Sequence, residues 1–552
     1  MLVRDRLREL LILAVRELSS DLGDFEPEIE IPSSREHGHY ATNAAMMLAR
    51  TLKQKPRDIA SRLVSCIEKR NPDFIEKIEV AGPGFVNFFI YPDAFTAMLP
   101  YIVASDRDYG KSNLGNGRYV QVEFVSANPT GPLHIGHGRG AATGDSIARI
   151  LEACGYRVQR EYYINDTGKQ MEILGRSLYL RYLEALGKEI EFPEDHYKGQ
   201  YMKDLAAELL GHKGDTLLGL PESEAVSFCA QYAGNRILEG IKKDLEDFRV
   251  TFDEWFSEKG LHEGGKVEQT IEFLRGRGHI YEKDGALWFR STAFGDEKDR
   301  VVVRSNGATT YFAADIAYHW NKFMRGFDTV IDIWGADHHG YVARMKAAVE
   351  ALGYDSEQLR IVLVQLVNLL RGGQPVAMST RAGEFVTLRE VMDEVGVDAA
   401  RYIFLTRRSD SHLDFDLEVA KQQSNENPVY YVQYAHARLC SLFEVARERG
   451  FSAENDKVPN LSLLREQQEL DLIRLLGEYP HVVASSAIFL EPHRIPYYLH
   501  ELVSEFHSYY NHHRILGDDT ELALARLYLA RALRVVIRNA LELIGVSAPE
   551  RM

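Results

Sequence analysis

The pattern of hydrophobic and polar residues divides the chain into three parts. In residues 1–112, hydrophobic residues recur at helical spacing, and one helix is predicted at 40–51. Two runs of alternating hydrophobic and polar residues flank Gly82-Pro83-Gly84, which is typical of a β-hairpin. Between 117 and 390, short apolar runs alternate with helical segments, which indicates a parallel sheet with crossover helices. From 427 to 552 the spacing is helical throughout. The pattern predicts an α/β protein that ends in an all-α bundle.

Within the second part, a polar and helical section separates two groups of predicted strands. We interpret residues 166–297 as an insertion between two halves of a Rossmann-like nucleotide fold, because ligands of such sheets bind where the strand order reverses. Residues 391–426 are predicted to form a helical linker, with Asp398 capping a helix that begins at Ala399. The predicted strands are 119–125 and 157–164 before the insertion, and 301–303, 330–333 and 361–366 after it.

Composition narrows the class of protein. The 552 residues are 45% hydrophobic and 26% charged, which is typical of a soluble globular chain with about three or four domains. The four cysteines are far apart and form no Cys-x-x-Cys pair, so a cytoplasmic protein without disulfides or a zinc ribbon is expected. The apolar run 10–15 is too short for a membrane span. A net charge of −16 does not exclude a nucleic-acid partner, because binding depends on local basic surface.

The stretch Ser126–Gly140 lies between a predicted strand and a predicted helix. Such a turn presents unpaired backbone N–H groups and the positive end of the helix dipole, which favour a phosphate. His134 and His137 are three residues apart and fall on the same side of the first helical turn. The alternative is a capped helix with surface imidazoles, but nucleotide binding is the better interpretation. The glycines that permit close approach of a nucleotide are Gly131, Gly136, Gly138 and Gly140.

A family resemblance sharpens this interpretation. His134-Ile135-Gly136-His137 is the signature of class I aminoacyl-tRNA synthetases, and the longer run from Ala127 to His137 resembles its arginyl-tRNA synthetase version. Residues 1–112 are similar to the additional amino-terminal domain of that family, which meets the outer corner of the tRNA. Residues 427–552 resemble its anticodon-binding domain. The resemblance implies ATP-dependent ligation of L-arginine to tRNA(Arg) through arginyl-adenylate, with release of AMP and pyrophosphate, by a monomer.

The resemblance also implies which residues contact ATP. Gly335-Ala336-Asp337-His338-His339-Gly340 follows a predicted strand, and we expect Asp337 and His338 to recognise the ATP ribose, with His338 also at the arginine. A zinc site is the alternative, but consecutive side chains point apart and no further ligand is spaced nearby. Magnesium is expected to arrive with ATP and not in a protein cage. The other expected ATP contacts are Gly131, Leu133, His134, Gly136, His137 and Gly138.

Arginine recognition is assigned to a second segment. Tyr311 and Asp315 are four residues apart and would share one face of a helix. The resemblance implies that they hold the guanidinium, for which a carboxylate is the natural partner. Glu123 and Asn128 match family positions that hold the ammonium and carboxylate ends of the substrate.

The run from Ala377 to Leu388 resembles the Lys-Met-Ser-Lys-Ser loop of class I synthetases, with Met378 and Ser379 expected at the ATP. Ala377 and Thr380 replace its two lysines, so Arg381, and Arg371 just before the loop, are the cations expected near the pyrophosphate. The two histidines would then handle more of the charge.

Contacts with the tRNA are expected at Tyr431, Tyr434 and the terminal Met552, although the aromatic run at 430–434 is also consistent with core packing.

Three other functions are consistent with parts of this pattern. A class I synthetase for another amino acid, or a simpler nucleotidyltransferase, would share the His-x-Gly-His turn. A tRNA-binding protein that has lost catalysis would explain the missing lysines.

Overall fold

The computed structural model describes residues 2–19, 25–376, 386–451 and 457–552. Its amino-terminal part packs helices on a three-stranded antiparallel sheet of order β1-β3-β2. The helix predicted at 40–51 is wrong in its first turn, because Tyr40–Thr42 pairs with residues 86–88 and helix begins only at Ala44. The elements are α1 Val3–Leu18, β1 Tyr40–Thr42, α2 Ala44–Leu52, α3 Pro56–Glu68, β2 Ile75–Ala81, β3 Phe85–Ile90, α4 Pro92–Thr96 and α5 Leu99–Ser105.

The central part contains a five-stranded parallel sheet of order β11-β10-β4-β5-β6. The chain leaves β4 toward β5 and later returns to β10 on the other side of β4, so the strand order reverses at β4. Its elements are β4 Tyr119–Glu123, α6 Ile135–Ala153, β5 Arg157–Ile164, α7 Lys169–Ala185, α8 Gln200–Lys213, α9 Glu222–Asp247, β6 Glu254–Ser257, α10 Glu258–Glu263, α11 Lys266–Gly276, β7 Ile280–Lys283, β8 Ala286–Phe289, β9 Arg300–Val303, α12 Tyr311–Met324, β10 Thr329–Gly335, α13 Val342–Ala351 and β11 Leu359–Val364.

Two predictions about this sheet are wrong. The section 166–297 is not wholly inserted, because β6 pairs with β5 and forms the edge of the parallel sheet. Residues 301–303 do not resume that sheet, because β9 pairs with β8 in a separate antiparallel sheet of order β7-β8-β9. β7 and β8 are joined by Asp284-Gly285, both at positive φ (54° and 73°), which is the two-residue turn that hairpins favour.

A linking region and a helical bundle complete the molecule. The helix in the linker begins at Val397 after Gly396, so Asp398 lies inside the helix and is not its cap. The carboxylate of Asp398 accepts hydrogen bonds from Gln433 and Ser547 of the bundle. Among the described helices, none is long and apolar enough to cross a membrane. The elements are β12 Val367–Arg371, β13 Gln374–Pro375, α14 Leu388–Val395, α15 Val397–Phe404, β14 Leu413–Asp416, α16 Leu417–Lys421, α17 Pro428–Glu448, α18 Gln467–Phe489, α19 Arg494–His512 and α20 Thr520–Leu543.

Candidate active site

The turn between β4 and α6 lies at the reversal of strand order, as the sequence predicts. His134 caps α6: its Nδ1 accepts from the backbone N–H of Gly136 at 3.1 Å, while Nδ1 of His137 accepts from the N–H of His134 at 3.2 Å. The two rings stack with centroids 3.7 Å apart. Because each Nδ1 is an acceptor, each Nε2 carries the ring hydrogen and each imidazole is a neutral donor.

The electrostatics of this turn differ from the expectation. Burial lowers the pKa of His134, and it lowers the pKa of His137 to about 3. Both rings are therefore neutral at physiological pH, and they offer hydrogen bonds instead of the positive charge that the missing lysines would have carried. The charge attraction of the turn comes from the amino end of α6.

Close packing leaves no room for a side chain at Gly138. A Cβ there would lie 2.7 Å from Leu388 and 3.1 Å from the ring of Phe404. The neighbouring Leu133 is fully buried, and its carbonyl accepts the N–H of Leu388 at 2.8 Å. The His-Ile-Gly-His turn is thus tied directly to the start of α14.

The predicted ribose-binding residues stand at the end of β10, next to β4. Asp337 and His338 belong to a turn, Ala336–Tyr341, and both side chains are exposed, with His338 Nε2 3.6 Å from an Asp337 oxygen. Within the described ranges, no group of three or more His, Cys, Asp or Glu side chains is placed to hold a metal ion.

Tyr311 and Asp315 lie in the first turns of α12, one helical turn apart. Tyr311 is exposed, whereas Asp315 is half-buried and accepts a hydrogen bond at Oδ2 from the hydroxyl of Tyr341. Burial raises the pKa of Asp315 to about 6, and the nearby carboxylates of Glu258 and Glu123 act in the same direction. A carboxylate in such a place gains most from a cationic ligand.

Glu123 is engaged inside the protein. Its Oε2 accepts from the fully buried ammonium of Lys322, and its Oε1 accepts from Ser126 at 2.9 Å. Lys322 also donates to Asp332 at 2.7 Å, and His319 bridges Asp332 and the carbonyl of Asp315, both at 2.8 Å. The predicted contact of Glu123 with the substrate ammonium therefore has to share these oxygens. The other predicted ligand, Asn128, donates to Gln170 at 2.6 Å.

Models of known families match the chain from end to end. An arginyl tRNA synthetase amino-terminal domain matches residues 5–90, the catalytic domain of class I (R) tRNA synthetases matches 98–439, and the DALR anticodon binding domain matches 432–552. The chain belongs to the arginyl-tRNA synthetase family.

Individual relatives agree with this membership. The arginine–tRNA ligase of Syntrophotalea carbinolica is 58% identical over 96% of this chain and 95% of its own length. That of Citrifermentans bemidjiense is 57% identical over 95% and 94%. Thermus thermophilus arginyl-tRNA synthetase aligns over 100% of both chains with a TM-score of 0.79; at 24% identity this likeness shows the fold. The resemblance seen in the sequence is confirmed.

The sheet order adds one acidic residue to the candidate site. Glu258 begins α10 directly after β6 and is buried, with His262 Nε2 3.5 Å from its Oε1. Its charge contributes to the raised pKa of Asp315. The sequence carries a signal for it, since Glu258 directly follows the strand-like Trp255-Phe256-Ser257, but the interpretation of 166–297 as an insertion hides this signal.

Arg371, the cation just before the loop, is engaged in ion pairs. Arg371 on β12 makes a bidentate ion pair with Glu394, at 2.6 and 2.9 Å, and a further bond to Glu418 at 3.0 Å. It is occupied in holding α14 and α16 against the strand. Ala377, Met378, Ser379, Thr380 and Arg381 lie outside the described residues, so their expected roles stay predictions.

The three residues expected at the tRNA separate into two environments. Tyr434 and Met552 line an open cavity of about 1040 Å³ in the bundle. Tyr431 packs its ring against His507, with centroids 4.8 Å apart, and does not line that cavity. The cationic residues of the lining are Arg438, Arg449, Arg514 and Arg551.

Proposed function

We propose that arginine is activated by ATP, and then transferred to tRNA, at the carboxyl ends of β4, β5, β6 and β10. ATP-dependent charging of tRNA with arginine is the activity of the family to which the chain belongs. The single observation that supports placing it here is the charge of Asp315. The neighbouring buried acids Glu123, Asp332 and Glu161 are each ion-paired, whereas Asp315 accepts only from a neutral hydroxyl among the described residues.

That difference fits a guanidinium. Asp315, with Glu258 close by, supplies negative charge that the fold leaves uncompensated, and a planar guanidinium with five donors satisfies both the charge and the geometry of a carboxylate. The exposed ring of Tyr311 lies one turn away on the same helix face. The three residues form the arginine side of the site.

The other side binds ATP. The N–H groups at the start of α6 and the Nε2–H donors of His134 and His137 face the phosphates, and Mg²⁺ arrives with ATP as part of the substrate. The arginine carboxylate attacks the α-phosphorus in line, the bond to the bridging oxygen breaks, and pyrophosphate leaves. No side chain acts as a nucleophile, because positioning and charge stabilisation carry phosphoryl-group reactions of this kind.

Transfer to the tRNA is the second step. The 2′-hydroxyl of the terminal adenosine attacks the mixed anhydride, an ester forms, and AMP leaves with the proton passing to solvent. We propose that the cavity at Tyr434 and Met552 receives RNA, since it combines two tyrosine rings, Tyr434 and Tyr510, with four arginines. The amino-terminal domain is proposed to contact the tRNA as well.

The oligomeric state and the location of the protein are also proposals. A monomer is proposed from the family resemblance alone. A cytoplasmic location is supported by the four cysteines, which are free thiols.

The test of this function is the removal of one charge. Asp315→Asn keeps the size of the side chain, and we expect kcat/KM for arginine to fall at least about a hundredfold, because a bidentate charge-assisted pair is lost. Charging of tRNA with labelled arginine measures the effect. Arginine-dependent exchange of pyrophosphate into ATP, with and without tRNA, isolates the first step.

A matched control is Asp393→Asn, an exposed acid on α14. An unchanged kcat/KM in Asp315→Asn, or exchange supported by glutamine, glutamate or cysteine in place of arginine, would contradict the proposal.

A further inference from the structure

The Asp315 carboxylate is held by a residue to which the sequence pattern assigns no role. Tyr341 ends the turn that follows β10, and its hydroxyl donates to Oδ2 of Asp315. We infer that Tyr341 is a positioning residue of the arginine pocket, which holds the Asp315 carboxylate in the orientation and the ionised state that a guanidinium requires. This inference rests on the proposed role of Asp315.

The ring of Tyr341 is fixed on three sides. It meets the ring of Phe312 on α12 edge to face, with centroids 5.9 Å apart, and the indole of Trp334 on β10 at 6.0 Å. The guanidinium of Arg344 on α13 lies 4.6 Å from the ring centroid. The hydroxyl is therefore presented to Asp315 from a rigid base, which is what positioning requires.

The hydrogen bond leaves room for the substrate. It uses one oxygen, and in the part of the chain that the structure describes no bond is made to Oδ1 of Asp315. Each carboxylate oxygen can accept two hydrogen bonds, so Oδ2 can keep the tyrosine while both oxygens receive a guanidinium. Tyr341 thus restricts rotation of the carboxylate without blocking its ligand.

The same bond opposes protonation of Asp315. Burial and the carboxylates of Glu258 and Glu123 raise the pKa of Asp315, while the Tyr341 hydroxyl and His319 lower it. The pKa of Asp315 stands at about 6 with this bond in place, and its loss would move the pKa toward neutrality. The charged or titratable groups around the pair are Tyr341, His319 on α12, Glu258 on α10, Glu123 on β4, Tyr163 on β5 and, near the tyrosine, Arg344 on α13 and Arg300 on β9.

The experiment is the substitution Tyr341→Phe, which removes the hydroxyl and keeps the packed ring. Steady-state charging of tRNA is measured against arginine concentration between pH 5.5 and 8.5. We expect KM for arginine to rise about tenfold at neutral pH, as for the loss of a hydrogen bond to a charged group, with kcat within about twofold. The acid limb of kcat/KM should move up by about one pH unit.

Two further variants make the outcomes distinct. Tyr354→Phe is the matched control. The ring of Tyr354, between α13 and β11, stacks on Phe323 of α12, and Tyr354 makes no hydrogen bond to Asp315. In one outcome, both tyrosine variants keep the acid limb and the arginine KM of the unsubstituted enzyme, and only Asp315→Asn is impaired. The inference about Tyr341 then fails, while the proposed function stands. If Asp315→Asn keeps its arginine KM, the proposed pocket itself fails.

A purely structural role for Tyr341 has its own signature. It would lower the melting temperature of Tyr341→Phe while leaving the acid limb where it was, and that result also overturns the inference.

Discussion

The two halves of the proposed active site handle charge in opposite ways. On the arginine side, Lys322 pairs with Glu123 and Asp332, and Arg325 pairs with Glu161, whereas the carboxylate of Asp315 has no Lys or Arg partner among the described residues. On the ATP side, the turn offers two stacked imidazoles whose pKa is lowered by burial, so both are neutral. The fold therefore builds in the charge for the cationic substrate, but the described turn does not do so for the anionic leaving group.

The cation on the first turns of α6 does not alter this contrast. Arg139 is fully buried and donates to the carbonyls of Gln365, Arg408 and Ser411, each at 2.8 Å. Burial lowers the pKa of Arg139 to about 10, so it stays protonated. Its Nη donors join α6 to Arg408 and Ser411 of the linker and to Gln365 after β11, which holds the turn in place.

The largest expected effect tests the built-in charge of the arginine side. Lys322→Met leaves Glu123 and Asp332 buried without their shared cation, and removal of one partner from a buried ionic network costs about 3–5 kcal/mol. Urea unfolding followed by tryptophan fluorescence reports this region, because all four tryptophans, Trp255, Trp288, Trp320 and Trp334, lie between β6 and the end of β10.

The control for this variant is Lys346→Met, which breaks a pair with the exposed Glu357 and should cost less than about 1 kcal/mol. Equal losses in the two variants would show that the network below the pocket is not a special source of stability.

The next effect tests the ATP side. Arg381→Ala should lower the rate of arginine activation at least about a hundredfold, on the order of 3 kcal/mol, if this cation stabilises the leaving pyrophosphate. Single-turnover formation of arginyl-adenylate gives the rate. Arg371→Ala is the comparison, since its guanidinium is held by Glu394 and Glu418 and its loss should change stability more than rate. A near-normal rate in Arg381→Ala would show that another cation serves the pyrophosphate.

The smallest effect is a difference between two pH profiles. In the proposed pocket Asp315 must be ionised to bind arginine. Its pKa is about 6, so we expect kcat/KM for arginine to be retained above that pH and to fall up to about tenfold per pH unit below it. The pKa of both histidines is lowered, so KM for ATP should stay flat between pH 6.5 and 8.5. A parallel change in both constants would remove the contrast between the two halves.

Local sequence patterns predicted much of this arrangement. The turn at Ser126–Gly140 and the shared face of Tyr311 and Asp315 follow from spacing within one element, and both are found. Residues 254–257 were misassigned because a four-residue strand inside a long helical section carries little periodicity of its own. The packing reason for Gly138 cannot be predicted from local spacing, because Leu388, which approaches it closely, follows it by 250 positions.

By itself, the sequence determined the chemical groups of this synthetase: the two histidines, the acids at the strand ends and the absence of both loop lysines. Only the tertiary structure decided which acid is neutralised, because Lys322 reaches Glu123 across 199 positions while Asp315, on the same helix as Lys322, receives a tyrosine hydroxyl instead. The protonation of the histidines was decided in the same way. Charge state depends on burial and on neighbours in space, and neither is a property of local spacing.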